Sequence, residues 1–476
     1  MQEKLSSTTA RERIQTALQA VHGLTLLNGV LNGSTAQALL RLLTELSAPE
    51  PEPVATATAY SNAFRELAAA ANTHVSLSLA DAWQAYLIAR LIDDSNIWSA
   101  QVERSGASGV TPTLRAQAIR DLRALHLLFA LDAELIWNAT CDIVTPALPI
   151  LRNAWEPWCN LASAEHVDNS HARDTLAQQA AAIDDWSELA SLLEKYWSVY
   201  GTGILARYHA LRWNGVDKQL QGVTTPDPIQ LSNLIGYARE QAILRANVER
   251  FLAGLPAHDV LLYGAPGTGK SSTVKALINT YSEHGLRLVE VSKEHIADLP
   301  GIVAQLRDRA PHYIIFVDDL SFEEHETEYK VLKVLLEGTA EARPTNILIH
   351  STTNRLNLIK ENFVDRGKPT QDVHWRDTMD EKHSLAHRFG LRLTFISPDQ
   401  AHYLAIVDGL ASQRGLKLAA EELHSRALLW ERQHIGRSGR VARQFIDDLE
   451  AELGALQHKF ERESVSSPSA ILQNQA

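Results

Sequence analysis

The stretch Asp259 to Thr273, D-V-L-L-Y-G-A-P-G-T-G-K-S-S-T, constrains this chain more than any other. Val260, Leu261, Leu262 and Tyr263 make a short continuous apolar run, the pattern of a strand buried on both faces, and Gly264 breaks it. Gly264 to Ser271 then fits the phosphate-loop pattern G-x-x-x-x-G-K-[ST] at every fixed position. The loop Gly264, Ala265, Pro266, Gly267, Thr268, Gly269, Lys270, Ser271 and Ser272 is the candidate phosphate-binding segment: without a Cβ at Gly264, Gly267 and Gly269 its backbone N–H groups, which Pro266 lacks, are free to curl around an anion. Lys270 reaches toward β and γ phosphates, and Ser271 offers a hydroxyl to Mg²⁺. Val274, Leu277, Ile278 and Tyr281 continue at helical spacing, so the loop opens a helix whose positive dipole end faces the phosphates.

A second element is expected downstream. His312 to Asp319, H-Y-I-I-F-V-D-D, reads as a buried strand ending in two acids. A carboxylate at a strand's C-terminal end beside a phosphate loop holds the Mg²⁺ shell, which assigns Asp318 to the metal together with Ser271. Asp319 is then placed to orient or deprotonate an attacking water, with Glu323 and Glu324 as alternatives one turn further on. Two more strands are read at Leu286 to Val291 and Ile347 to His350. The latter leads into S-T-T-N-R, where Asn354 is positioned to hold the water between Asp318 and the γ phosphate. A fifth strand, Leu391 to Ile396, follows S-L-A-H-R-F-G with its Arg388. Arg437, Arg440 and Arg443 recur at i, i+3, i+6 at the head of the last helix, facing either phosphate or solvent.

Length divides the chain: 476 residues exceed what one hydrophobic core organises. Residues 1–225 read as a helical N-terminal domain, with periodic stretches at 9–21, 35–46, 54–72, 79–104, 113–137 and 171–198. Trp137, Trp155, Trp158, Trp186 and Trp197 belong to the core of that bundle. Residues 226–398 form the nucleotide-binding core, 399–460 a small helical lid, and 461–476 a disordered tail. A formal charge of −12 argues against a general nucleic-acid coat. Cys141 and Cys159 are the only cysteines, too few for a disulfide framework or a cysteine-based metal site. The N-terminus lacks the order of a signal peptide, and no apolar run reaches the ~18 residues that span a bilayer, so a cytoplasmic setting without a membrane is expected.

Taken in order, the phosphate loop, the two-acid strand, the polar fourth strand, S-L-A-H-R-F-G and G-R-S-G-R-V-A-R-Q-F make the chain resemble an AAA+ ATPase. More narrowly it resembles a bacterial family of single-AAA+ proteins catalogued as a domain of unknown function, on Y-G-T-G from Tyr200, L-I-G-Y from Leu234, V-D-D-L-S-F-E-E from Val317 and L-L-E-G from Leu335. The resemblance spans about Trp197 to Leu456. It implies an α/β P-loop NTPase fold with a five-stranded parallel sheet in order 5-1-4-3-2 and a C-terminal helical lid. It also implies ATP with Mg²⁺ as the bound pair, Asn354 as sensor 1, Arg440 as sensor 2, and Arg388 as an arginine finger reaching a neighbouring copy's nucleotide in a homo-oligomer. Many AAA+ proteins carry Asp-Glu where this chain has Asp318-Asp319, so Asp319 and Glu323 both stand as the catalytic carboxylate. The segment S-K-E-H-I-A-D-L-P-G-I after the second strand has no aromatic residue, unlike that of threading unfoldases. The expected function is therefore an ATPase that remodels or assembles a protein partner held by the helical N-terminal half. A nucleotide-dependent switch or scaffold with little turnover, and a DNA-associated loader, are the alternatives.

Overall fold

The structure is a computed structural model that describes residues 2–72, 77–151, 153–161, 171–322, 326, 328–338, 343–354, 358, 385–434 and 436–465. Within these, side chains are described for residues 10–454.

The N-terminal region is helical, as its Ala- and Leu-rich periodicity dictates, but its long stretches are broken where capping residues intervene. The expected 79–104 helix is two, Ala82–Asp93 and Ile97–Ser105, because the Asn96 side chain accepts the N–H groups of Trp98 and Ser99 and starts a new helix. Likewise 113–137 divides into Pro112–Phe129 and Ala133–Ala147 at Asp132, whose carboxylate accepts Leu135 N–H at 2.8 Å. The stretch 171–198 divides into His171–Ala182 and Leu189–Tyr200. Trp83, Trp98, Trp158, Trp186 and Trp197 are fully buried in this core, while Trp137 and Trp155 pack at its margin. Asp121, also buried, accepts three successive N–H groups from Thr25, Leu26 and Leu27 at 2.7–3.0 Å, a satisfied charge that pins the first loop.

The chain then enters a mixed sheet of seven strands: β1 (Ala210–Asn214), β2 (Gln219–Gly222), β3 (Val260–Gly264), β4 (Leu286–Glu290), β5 (His312–Val317), β6 (Ile347–Thr353) and β7 (Leu391–Phe395). Their order is β2-β1-β4-β5-β6-β3-β7, with β2 antiparallel to β1 and the other pairings parallel. Two expectations are corrected here: the sheet has seven strands rather than five, and residues 210–222, assigned to the helical domain, are a hairpin within it. The cause is register: β1 adds in parallel to β4, pairing Ala210, Leu211 and Arg212 with Leu288, Val289 and Glu290. The hairpin's short alternating strands, A-L-R-W-N and Q-L-Q-G, carried too weak a pattern beside Gly215 to stand out.

Alternation along the strands builds two apolar faces. Tyr313, Ile315 and Val317 of β5 pack toward the helices Leu299–Leu306 and Tyr329–Glu337. Ile314 and Phe316 pack toward Ala238–Leu252 and Lys270–Tyr281. The lid is three helices, Gln400–Gln413, Ala420–Gln433 and Gly439–Val465, around Tyr403, Val407, Ala427, Ala442, Phe445 and Ile446. Its last helix carries 461–465, which the sequence assigned to a disordered tail; residues 466–476 lie outside the described residues.

The helical region is locked to the sheet by buried polar contacts. Glu103 accepts Arg309 Nε and Nη2 at 2.7 and 2.9 Å, Thr202 Oγ1 at 3.0 Å and Ala310 N–H at 3.2 Å. Arg287 of β4, fully enclosed, donates to the carbonyls of Leu205 and Ala206 at 2.7 and 3.3 Å, at the end of the short helix Gly203–Arg207.

Candidate nucleotide site

The C-terminal ends of β3, β5 and β6 converge, and the loop Gly264–Gly269 leaves β3 there to start the helix Lys270–Tyr281. Gly264 sits at φ +144°, and a Cβ would come within 2.0 Å of Phe395 O on β7. Gly267, at φ +74°, would put a Cβ 2.9 Å from Ser438 Oγ of the lid. Both positions therefore require glycine on steric grounds.

That cavity, about 460 Å³, is lined by the loop from Pro266 through Ser272, by Asp318, Asp319, Thr352 and Asn354, and by Arg440 and Arg443 of the lid. Gly264 and Ala265 stand behind it: their carbonyls accept Lys270 Nζ at 2.9 and 2.8 Å, and Ala265 N–H donates to Phe395 O at 3.2 Å. Lys270 Nζ also donates to Asn354 Oδ1 at 3.0 Å. Burial lowers the Lys270 pKa, while Asp318 and Asp319 nearby raise it and Arg440 lowers it.

The two residues assigned to Mg²⁺ are in contact, with Ser271 Oγ donating to Asp318 Oδ1 at 2.6 Å. A hydroxyl and a carboxylate beside a glycine-lined anion cradle are the hard-oxygen donor set that Mg²⁺ takes together with phosphate, so these residues fit the group. The residues assigned to water are in contact too: Asn354 Nδ2 donates to Asp319 Oδ1 at 3.0 Å. Asp319 has φ +50°, an uncommon conformation outside glycine. Lid and loop meet through their backbones, Arg440 N–H donating to Gly267 O at 3.1 Å.

Two other sequence candidates fall elsewhere. Arg388 is outside the cavity lining and pairs with Glu337, the last residue of the helix Tyr329–Glu337, at 2.6 Å. Arg437 pairs with Glu431 at 3.3 Å. Glu323 and Glu324 lie outside the described residues.

Sequence reasoning missed the apolar end of the cavity. Leu234, Ile235 and Tyr237 line it with Ile406 and Leu410 of the lid, and Gln241 adds an amide. Tyr237 OH donates to Ile396 O at 2.5 Å, so the entry to the core and the exit to the lid are joined at this point. The L-I-G-Y stretch was the available signal: an apolar segment that does not continue the helical period of Ala238–Leu252. A flat apolar slot next to a phosphate cradle suits a nucleobase.

The chain is similar in part to several known proteins. The chain is 28% identical over 257 residues to the proteasome-activating nucleotidase of Methanoculleus marisnigri, covering 49% of this chain and 58% of that protein. It is 32% identical over 134 residues to the 26S proteasome regulatory subunit 4 homolog of Schizosaccharomyces pombe, covering 23% of this chain and 30% of that protein. The chain thus spans less than two thirds of the length of either relative. Among solved structures, the RuvB Holliday junction branch migration motor of Thermotoga maritima matches with a TM-score of 0.35 at 18% identity, over 48% of this chain and 67% of that one. The family model described as "Protein of unknown function (DUF815)" matches residues 206–453. That span is more than half of the 476 residues and holds the whole sheet, the phosphate loop and most of the lid, so the chain belongs to this family.

Proposed function

We propose that the protein binds ATP with Mg²⁺ and hydrolyses it as a homo-oligomer, using the cycle to remodel or assemble a protein partner held by the helical region. The observation that carries this reading is the pair of contacts Ser271–Asp318 and Asp319–Asn354, one suited to a cation and the other to a water, on either side of Lys270. In the expected five-strand numbering, the run β7-β3-β6-β5-β4 supports the 5-1-4-3-2 order of such ATPases.

Lys270 supplies a positive charge to the β and γ phosphates, held in place by the loop carbonyls. Bound Mg²⁺ would supply further neutralisation of charge on the same phosphate oxygens. Asp319 accepts a proton from, or orients, the water that attacks the γ phosphorus, and Asn354 fixes the carboxylate's direction. Arg440, anchored to the loop through its backbone, brings a lid charge to the phosphates. Arg388 lies off the chain's own cavity, which supports its acting on a neighbouring copy's nucleotide. The short Asp319 and the dependence on a neighbour also support a second reading, a nucleotide switch that turns over slowly. The net charge of −12 gives no support to DNA loading.

Steady-state ATP hydrolysis with Mg²⁺, measured over a range of protein concentrations beside Lys270→Ala, tests the proposal. Turnover per chain should rise with concentration and be lost in the variant. Tight nucleotide binding without turnover at any concentration would select the switch, and undiminished activity in Lys270→Ala would remove the P-loop assignment.

A further inference from the structure

One buried hydroxyl outside the assigned residues touches both acids. Thr352, on β6 and 2% exposed, donates its Oγ1 proton to Asp318 Oδ1 and accepts the Asp319 N–H on the same oxygen at 2.9 Å. Its backbone carbonyl accepts Leu320 N–H at 2.7 Å. Three consecutive residues leaving β5 are therefore tied to one residue of the neighbouring strand. The turn they make holds Asp319 at φ +50°. Asp and Asn enter that left-handed region more readily than longer side chains, since a short polar group can bond locally there. This gives a physical reason for a second Asp, rather than the longer Glu, at this position: the turn supplies the direction that the shorter side chain cannot reach for.

A buried threonine hydroxyl on a strand most often only satisfies nearby backbone, and a single bond to the Asp319 amide would be no more than that. Thr352 does more, because the same oxygen orients a carboxylate assigned to the cation. Ser271 reaches that same Oδ1 at 2.6 Å, so the hydroxyls of Thr352 and Ser271 together fix the rotamer of Asp318. Outer partners of this kind orient ligating carboxylates.

We propose that Thr352 is a positioning residue that sets both acids at once, aiming Asp318 at Mg²⁺ and holding Asp319 in the left-handed turn that presents it to Asn354. This rests on the reading of the cavity as a Mg²⁺–ATP site. Thr352→Val keeps the shape and removes the hydroxyl; Thr352→Ser keeps the hydroxyl and removes the methyl group.

The experiment is titration of the full-length protein with a fluorescent ATP analogue, once with Mg²⁺ and once with EDTA, alongside steady-state ATP hydrolysis. Thr352→Val should bind the analogue in EDTA as the wild type does. Its Mg²⁺-dependent gain in affinity should fall by about 10- to 100-fold, with a comparable loss of kcat at saturating Mg²⁺–ATP. Thr352→Ser should restore most of both. A Thr352→Val protein with wild-type Mg²⁺ dependence and kcat would overturn the assignment. So would a Ser variant as impaired as the Val variant, which would assign the effect to packing of the methyl group. Loss of analogue binding even in EDTA by Thr352→Val, with its far-UV circular dichroism unchanged, would also overturn it. If the wild type binds no analogue in either condition, the nucleotide reading itself has failed, an outcome distinct from the other three.

Discussion

Glu103 joins the helical region to the ATPase core, and replacing it measures how firmly the two are held. Its side chain is 3% exposed and takes both Arg309 nitrogens, a hydroxyl and the Ala310 amide. In Glu103→Ala the Arg309 guanidinium loses its only carboxylate in this contact, and the Ala310 N–H loses its acceptor. Removing one partner of a buried pair costs about 3–5 kcal/mol, because the other charge is left without compensation. Arg309 is 27% exposed, so water recovers part of that, and the expected loss is about 2–4 kcal/mol. Glu103→Gln keeps the shape and one acceptor, and should cost about 1–2 kcal/mol. Equilibrium urea unfolding reads both, followed by tryptophan fluorescence for the helical core and by binding of a fluorescent nucleotide for the ATPase core. The two probes should report one shared transition in the wild type and separate in Glu103→Ala, where the helical region is freed from the sheet. A loss below about 0.5 kcal/mol in the Ala variant would show that this carboxylate is not the buried anchor its contacts describe.

Arg388→Ala should leave nucleotide affinity unchanged and abolish the concentration-dependent part of turnover, a loss of about 10³- to 10⁵-fold if the finger acts in trans; normal hydrolysis in the variant would reject the assignment. Stability should fall on acidification. His350, enclosed in β6, and His209 have pKa values pushed down by burial to about 3 and about 4. The unfolded chain therefore binds more protons than the folded one between the ordinary histidine value and those values. Folded-state stability is fully present above about pH 6.5 and declines by up to about 1.4 kcal/mol per pH unit for each histidine below it. Chemical denaturation from pH 7 to 5 tests this, and His350→Leu should flatten the slope; an unchanged slope would mean that His350 is not held neutral.

The phosphate loop was legible in the sequence because its chemistry allows few residues: each glycine takes a positive φ, Lys270 is fixed by the pattern, and the position after it admits only Ser or Thr. The sequence placed Asp318, Asp319 and Asn354 at strand ends beside the loop, while the contacts of Ser271 with Asp318 and of Asn354 with Asp319 emerged from the folded sheet. Thr352 was not legible, since a threonine in S-T-T-N looks like any strand-end hydroxyl until β5 is seen beside it. The apolar slot at Leu234–Tyr237 was hidden for a similar reason: its other wall, Ile406 and Leu410, comes from a domain far along the chain. The helical region's boundaries were blurred by apolar residues that continue past each break, whereas the caps Asn96 and Asp132 that begin the next helix are single polar residues. Glu323, the other candidate for the catalytic carboxylate, lies outside the described residues.

The β1–β2 hairpin changes what counts as the smallest foldable piece. Without it β4 would be the border of the sheet, and L-R-L-V-E, buried along nearly its whole length, would offer an open ladder of unpaired N–H and C=O groups to any other chain. With it the border is β2, a four-residue strand whose Gln219 and Gln221 face water. The helix Gly203–Arg207, just before the hairpin, brings the Leu205 and Ala206 carbonyls to Arg287, so two of the four carbonyls that the buried guanidinium reaches come from residues before 210. A chain cut at Pro226, where the sequence suggested a boundary, would expose a sticky edge and take two acceptors from a buried cation in one stroke. The sheet is thus built to fold with its helical neighbour's last turn attached, and the two halves share one border rather than a linker.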